Sequence, residues 1–507
     1  MSKHFLLITF IIAYLIFSFL TFKDYGITHD EEVMYKNGKS LFRYFFTGPS
    51  SEDLEILLNK KPPPQAHYLH NQLYGAILSV FNPKESYEIY HLLNLIFALP
   101  LFLASYFALY KFYKNTLIAL LGPVFLFLTP RLIGDIPTNI KDVSFAVSYF
   151  LSLVSIFFLV NRKKIIFKIL LLGILFGLSQ SFRIIGFTLY LILFAYDFYI
   201  FVSDMNSRKR WGIWTYLRNE ILMTVSIFFI ATLIMTLSWP YISSNFPEHF
   251  FDILKASNSF PYETPILTLG KNVISTQLPW FYLPVWIFAT MPLYLIFFFI
   301  ASPIYLKNFF RHKLFLIFFS AFLVNVVFFI LFKPVIYDAV RHYLFFQVII
   351  VFLATISLAE FILNFKKQPI FYLLLILVGI NLLFVIKNLF LLHPYQYTYF
   401  NEAVGGLKGA YLNFETDYWG ASYKEAVEWL KKNKIKNDRV YYIYSCGNPI
   451  SSTYYFSKNM QWSSDFSKVD FALCFTRWEQ YLQFDQNKKI YAVERFGVPL
   501  TIIYALK

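Results

Sequence analysis

Beyond an apolar N-terminal run the sequence reads Gly26-Ile27-Thr28-His29-Asp30-Glu31-Glu32, with three carboxylates in succession. An acidic run is most often a solvated face. Position alters that reading here. A carboxylate at the outer surface of a membrane, facing a loop that carries Pro62-Pro63-Pro64 and aromatic residues, is placed to take a proton from a hydroxyl acceptor as general base. A second stretch, Pro130 to Asp142, packs the cations Arg131 and Lys141 and the carboxylates Asp135 and Asp142 between apolar runs. A phosphate leaving group calls for a fixed positive charge, and a carboxylate such as Asp135 can place a divalent metal or orient a cation. Asp142 reads equally well as a residue at a helix start, where a carboxylate is favoured.

Two more arginines fall where apolar runs meet the same surface: Arg183 in Ser181-Phe182-Arg183-Ile184, and Arg341 in Asp338-Ala339-Val340-Arg341-His342. Snorkelling to the headgroups accounts for any one such arginine. Arg131, Lys141, Arg183 and Arg341 together run against the positive-inside bias, and the set points to an anionic ligand at this face. His67 and His70 are three apart and form a weak metal signal without further ligands. No Walker loop, dinucleotide glycine fingerprint, Gly-x-Ser-x-Gly elbow or Cys-x-x-Cys pair is present, so nucleotide hydrolysis and hydride chemistry have no support.

The elements that must hold these residues are membrane helices. A chain of 507 residues that is 57% hydrophobic, 21% aromatic and 15% charged has more apolar surface than soluble domains can bury. The apolar residues fall in runs of roughly twenty, the length that crosses about 30 Å of hydrocarbon. Matching runs to basic clusters gives about eleven spans, near 4–22, 91–110, 116–130, 143–160, 165–180, 185–202, 220–238, 283–303, 314–332, 343–362 and 369–388. The net charge of +15 sits in clusters such as Arg162-Lys163-Lys164 and Arg208-Lys209-Arg210 at the ends of these runs, which reads as a topology signal and not as a nucleic-acid face. The first run is long for a signal peptide and lacks a small-residue cleavage site, so it reads as a retained helix.

An inside N-terminus then puts loops 23–90, 131–142 and 239–282, and everything after His393, outside an inner membrane. Within the first loop, His67 to Phe81 suits an interfacial helix. The division expected is a membrane domain over 1–392 and a small α/β domain over 393–507, with a helix near Tyr423 to Lys434 and strands near Val440 to Tyr444 and Val469 to Phe475. Cys446 and Cys474 are the two cysteines; a disulfide is allowed, and a free pair fits as well.

In their order along the chain, these segments resemble the GT-C glycosyltransferases, in particular the protein O-mannosyltransferase and aminoarabinose-transferase superfamily, glycosyltransferase family 39-like. The resemblance rests on Asp30-Glu31, Lys61-Pro62-Pro63, Pro130-Arg131 with Lys141-Asp142, and Trp239-Pro240-Tyr241. It extends through Leu278-Pro279-Trp280, Tyr337-Asp338 with Arg341-His342, His393-Pro394-Tyr395, and Glu415-Thr416-Asp417-Tyr418-Trp419-Gly420, the last resembling a bacterial branch. It implies an inverting transfer from a polyprenyl-phosphate sugar to an acceptor hydroxyl, with Asp30 as base, Glu31 beside it, and Lys141, Arg183, Arg341, Arg131 and His342 around the donor phosphate. Asp135 stands where the branch is expected to have a histidine.

The expected partners are the lipid-linked donor, membrane lipids and a protein, lipid or glycan acceptor; nucleotide sugar and nucleic acid are not expected. No cofactor is certain from the sequence, and a divalent metal stays open. A lipid or sugar transporter is the rival class, but transporters carry ionisable or unwound segments near the midplane, and here the charges collect at the outer ends of the spans. A non-catalytic receptor would leave the first-loop carboxylates without a task.

Overall fold

The computed structural model describes residues 4–58, 71–159, 165–203, 213–258, 262–304, 312–366 and 368–507. Lys61-Pro62-Pro63-Pro64, His67, His70 and the basic clusters at 162–164 and 208–210 lie outside the described residues. Eight helices are long and apolar enough to cross a membrane, and three shorter apolar helices, Phe5–Thr21, Thr116–Phe127 and Leu293–Ile304, complete the set of segments expected from the sequence.

Two spans are central. The most apolar stretch of each helix is 89% buried in Arg341–Phe365 and 78% buried in Ile140–Leu159, but 11% buried in Pro369–Leu392 and 22% in Leu217–Ser238. A helix that is apolar on every side must face either protein or lipid, and this contrast divides the two cases. Polar groups tie the interior spans together, since the amide of Asn325 donates to the Tyr149 hydroxyl at 2.8 Å and that hydroxyl lies 2.8 Å from Thr188 Oγ1. In hydrocarbon such bonds replace contacts that water would otherwise supply.

The segment expected as one span over 283–303 divides at Met291 into Tyr282–Thr290 and a helix starting at Leu293. Pro292 lacks an N–H and pushes the residue before it into extended backbone, which Met291 adopts at φ −103 and ψ 146. In the first loop the helix Glu31–Phe46 packs on the helix Leu73–Phe81, which falls within the stretch expected as interfacial, and Gly38 meets Gly75 so closely that a Cβ on either would strike backbone. The loop expected over 239–282 contains a hairpin that the sequence did not announce: strand β1, Pro265–Thr268, and strand β2, Lys271–Ile274.

The C-terminal domain is built on one five-stranded sheet. Its strands are β3 (Tyr441–Ser445), β4 (Met460–Trp462), β5 (Phe471–Phe475), β6 (Lys489–Arg495) and β7 (Val498–Ala505), in the order β4-β3-β5-β7-β6. β3 runs parallel to β4 and β5, and β7 is antiparallel to β5 and β6. The helix Tyr423–Asn433 buries Tyr423, Ala426, Val427 and Leu430, the helical spacing expected of one apolar face. Cys446 and Cys474 are joined in a disulfide with Cα atoms 5.0 Å apart.

Candidate active site

The loop that carries Asp30 is locked to the sheet domain before its helix begins. The His29 amide donates to the Trp419 carbonyl at 3.2 Å, and Asn448 donates to the His29 carbonyl at 3.1 Å. The His29 ring fills a hole left by Gly420 and Gly447, at φ +70 and +75, where any side chain would be strained and would strike the imidazole. Burial, helped by Arg477, lowers the pKa of this imidazole to about 4, so it is neutral at physiological pH.

The next two residues part company. Glu31 is fully buried, with Oε1 accepting from the Thr28 amide at 2.7 Å and the Thr28 hydroxyl at 3.0 Å, and Oε2 lying 2.8 Å from His91 Nε2. Both of its oxygens are engaged in holding the loop. Asp30, at the N-cap position, keeps 43% of its side chain exposed and is gripped by Arg341. Burial would raise its carboxyl, but Arg341 and Lys141 outweigh that and hold it at about 2.

Arg341 is itself shared. Its other terminal nitrogen lies 2.7 Å from Asp338 Oδ2, and the guanidinium stands 5.1 Å from the Tyr337 ring and 5.4 Å from Trp419. Asp338 also pairs with Arg477, whose Nε is 4.0 Å from Glu415. Asp338 and Ala339 adopt φ of 57 and 59, a left-handed pair at non-glycine residues, and the Tyr282 hydroxyl donates to the Ala339 carbonyl at 2.9 Å. Strained backbone of this kind persists where the surroundings over-determine it. Burial pushes the Glu415 carboxyl up to about 8 against the pull of Arg477, and raises that of Asp338 as well.

Beside this cluster opens a cavity of about 950 Å³, walled by Phe182, Ile184, Phe187, Trp239, Phe328 and other apolar groups. Among the described residues its ionisable wall groups are Lys141, Arg183, Lys255, His342 and the tyrosines, with no carboxylate. Phe228, Phe251 and Phe332 at its wall are 43%, 61% and 48% exposed, so the apolar end is open to the surroundings of the spans. Arg183 is paired with the buried Asp142, and Tyr337, a wall residue, packs edge-on against His342 at 4.5 Å.

Of the residues singled out in the sequence, Asp30, Lys141, Arg183, Arg341, Asp142 and His342 thus gather at or beside the cavity. Arg131 and Asp135 do not line it. Arg131 is buried beneath the chain after the last span, with Nε donating to the Tyr399 carbonyl at 3.2 Å and its guanidinium 4.9 Å from the Phe400 ring. Burial drives the Asp135 carboxyl up to about 8 despite Arg131 nearby. Among the described residues no group of three or more His, Cys, Asp or Glu side chains is arranged to hold a metal ion. Sequence reasoning left Arg477, Lys255 and the pairing role of Asp338 outside the site. Only Asp338 carried a signal, three residues before Arg341.

No family model matches the sequence, and no curated protein is similar to it. Solved structures are. Crystal structures of ArnT from Cupriavidus metallidurans superpose over the whole chain: the form bound to undecaprenyl phosphate has a TM-score of 0.54 and 12% identity, covering 100% of this chain and 99% of that one. The apo form has a TM-score of 0.52 at 12% identity, covering 99% and 98%. At that identity the likeness is one of fold.

Proposed function

The chain has the GT-C fold, and on that premise we propose that it is an inverting glycosyltransferase that moves a sugar from a polyprenyl-phosphate carrier to an acceptor hydroxyl at the outer face of a membrane. One observation carries the reading: an apolar cavity, open among the spans and walled by cations without a carboxylate, ends beside a part-exposed carboxylate held by arginine. An isoprenoid chain suits the apolar part, and a phosphodiester suits Lys141, Arg183, Lys255 and His342. The undecaprenyl phosphate in the similar ArnT structure supports that class of carrier.

The acceptor oxygen attacks the anomeric carbon, the carbon–oxygen bond to phosphate breaks, and its electron pair leaves on the phosphate, where the cations stabilise it. Asp30 takes the hydroxyl proton. A carboxyl held at about 2 is a weak base, and the donor itself corrects this. A phosphate in the cavity draws on Lys141, one of the two cations that hold Asp30 down, so donor binding raises the basicity of Asp30 when it is needed. The cavity volume lies within the range of about 300–1,000 Å³ usual for ligand sites.

The contacts support a shared side for the Asp30 loop and the sheet domain. His29 sits in the sheet domain between Gly420 and Gly447, so the Asp30 loop and that domain share one side. The Cys446–Cys474 disulfide suits an oxidising compartment, which favours the outer side of an inner membrane.

The test uses purified protein in lipid nanodiscs. Undecaprenyl phosphate should bind, and release of undecaprenyl phosphate from undecaprenyl-phosphate sugars should fall on the order of a hundredfold or more in Asp30→Asn with binding retained. Undiminished turnover in that variant, or no binding of the carrier by the wild type, overturns the reading.

A further inference from the structure

Asp30 is held by a chain of side chains that ends in the sheet domain. One terminal nitrogen of Arg341 donates to Asp30, and the other is 2.7 Å from Asp338. Asp338 therefore competes with Asp30 for one guanidinium. Its second oxygen, however, accepts from Arg477, which follows β5. The side chains of Arg341, Asp338 and Arg477 are 3%, 4% and 6% exposed, so water cannot stand in for a missing partner. The Arg477 guanidinium is fixed in turn by the Tyr418 carbonyl at 3.1 Å and by the Trp478 ring at 4.1 Å.

We propose that Arg477 is a positioning residue: by neutralising Asp338 it leaves Arg341 to Asp30, so the sheet domain completes an active site otherwise made by membrane helices and their loops. With Arg477 present, the carboxylates of Asp30 and Asp338 face two guanidinium groups, the third carboxyl, Glu415, lying 4.0 Å from Arg477 Nε and pushed up to about 8 by burial. Without it, one guanidinium must serve both Asp30 and Asp338. The further ionisable groups around Asp30 are His29 on its own loop, Lys141 and Asp142 at the start of the Ile140–Leu159 helix, and Tyr262 and Tyr337 on the side of Arg341. None is altered in the variants below. The inference rests on reading Asp30 as the base, but the sharing of Arg341 can be tested without turnover.

The probe is a water-soluble carbodiimide with glycine ethyl ester, applied to the full chain in nanodiscs near pH 6 and read by mass spectrometry of the peptides that contain Asp30 and Asp338. Carbodiimides attack protonated carboxyls, and both residues should be unreactive in the wild type. In Arg477→Gln the two carboxylates take up a proton as a pair, and labelling of one or the other should rise at least about tenfold. Adding Asp338→Asn removes the competitor, and Asp30 should return to wild-type reactivity. A general loosening of the domain would not be repaired by that second change.

Arg477→Lys keeps the charge but loses the planar fork, and should label to an intermediate degree. Should Arg477→Gln fail to fold, Arg477→Lys with and without Asp338→Asn carries the same comparison. An Arg477 variant as unreactive as the wild type overturns the proposal, as does a double variant as reactive as the single one. Where turnover is measured, kcat should follow the labelling pattern while undecaprenyl phosphate binding stays unchanged, since Arg477 is not in the cavity wall. Failure of the glycosyltransferase reading looks different: the wild type would neither bind the carrier nor release it from a lipid-linked sugar, with the labelling pattern intact.

Discussion

Asp30 and Glu31 are adjacent carboxylates whose surroundings assign them separate tasks. Glu31 spends both oxygens on Thr28 and His91, so Glu31→Gln, which cannot accept at both sites, should lower stability by about 1–3 kcal/mol, read as a lower thermal midpoint, while leaving the shape of the pH–rate profile unchanged. Asp30 stays ionised until the pH falls through about 2, because a carboxyl depressed below its ordinary value gives up its charged form only there. The acid limb of kcat/KM, which reports the free enzyme, should therefore lie below about pH 5, whereas the limb of kcat should lie higher because the donor phosphate competes for Lys141. A kcat/KM limb centred near the histidine range would show that Arg341 does not hold Asp30 in the resting enzyme. These roles were partly legible in the residues themselves. Asp30, Lys141, Arg183 and Arg341 stand out because cations and carboxylates are rare at the outer ends of spans, where each carries a cost that needs a reason. Arg477 and Lys255 lie in stretches where charge is ordinary, and only the fold brings them in.

Secondary elements show the same division. Helices buried in lipid or protein must satisfy their own backbone, so long apolar runs report them directly, and each expected span has its helix. The break at Met291–Pro292 was there to be read in the proline. The β1–β2 hairpin was not, since four-residue strands are too short to establish a period and β2 shows no alternating burial. In the sheet domain, β3 and β5 could be read because they are buried, β-rich runs, while β6 alternates weakly and carries charge at both ends. The disulfide ties the end of β3 to β5 across a sequence separation of 28, and replacing both cysteines by serine should cost about 3–4 kcal/mol by loop-closure entropy, measured as earlier denaturant unfolding of the domain. At the hinge of loop and domain, Gly447→Ala should weaken carrier release more than its distance from the cavity suggests, by displacing His29 and with it Asp30, and it should lower the thermal midpoint as well.

For the whole molecule, the contact between the Asp30 loop and the sheet domain requires both on one side of the membrane. Reporter fusions at Lys164 and Lys507 should give opposite sidedness, and equal signals would mean that a span has been miscounted. The cavity carries a further consequence for the cycle as a whole. A donor phosphodiester brings one negative charge, whereas the spent carrier leaves as a phosphomonoester with a second ionisation near pH 6, and so carries nearly two. A wall that offers Lys141, Arg183, Lys255 and His342, with Asp142 behind Arg183 and Asp30 beside Lys141, should favour the more highly charged species. On the proposed function the spent carrier is therefore expected to compete with fresh donor for the cavity, read as product inhibition by added undecaprenyl phosphate.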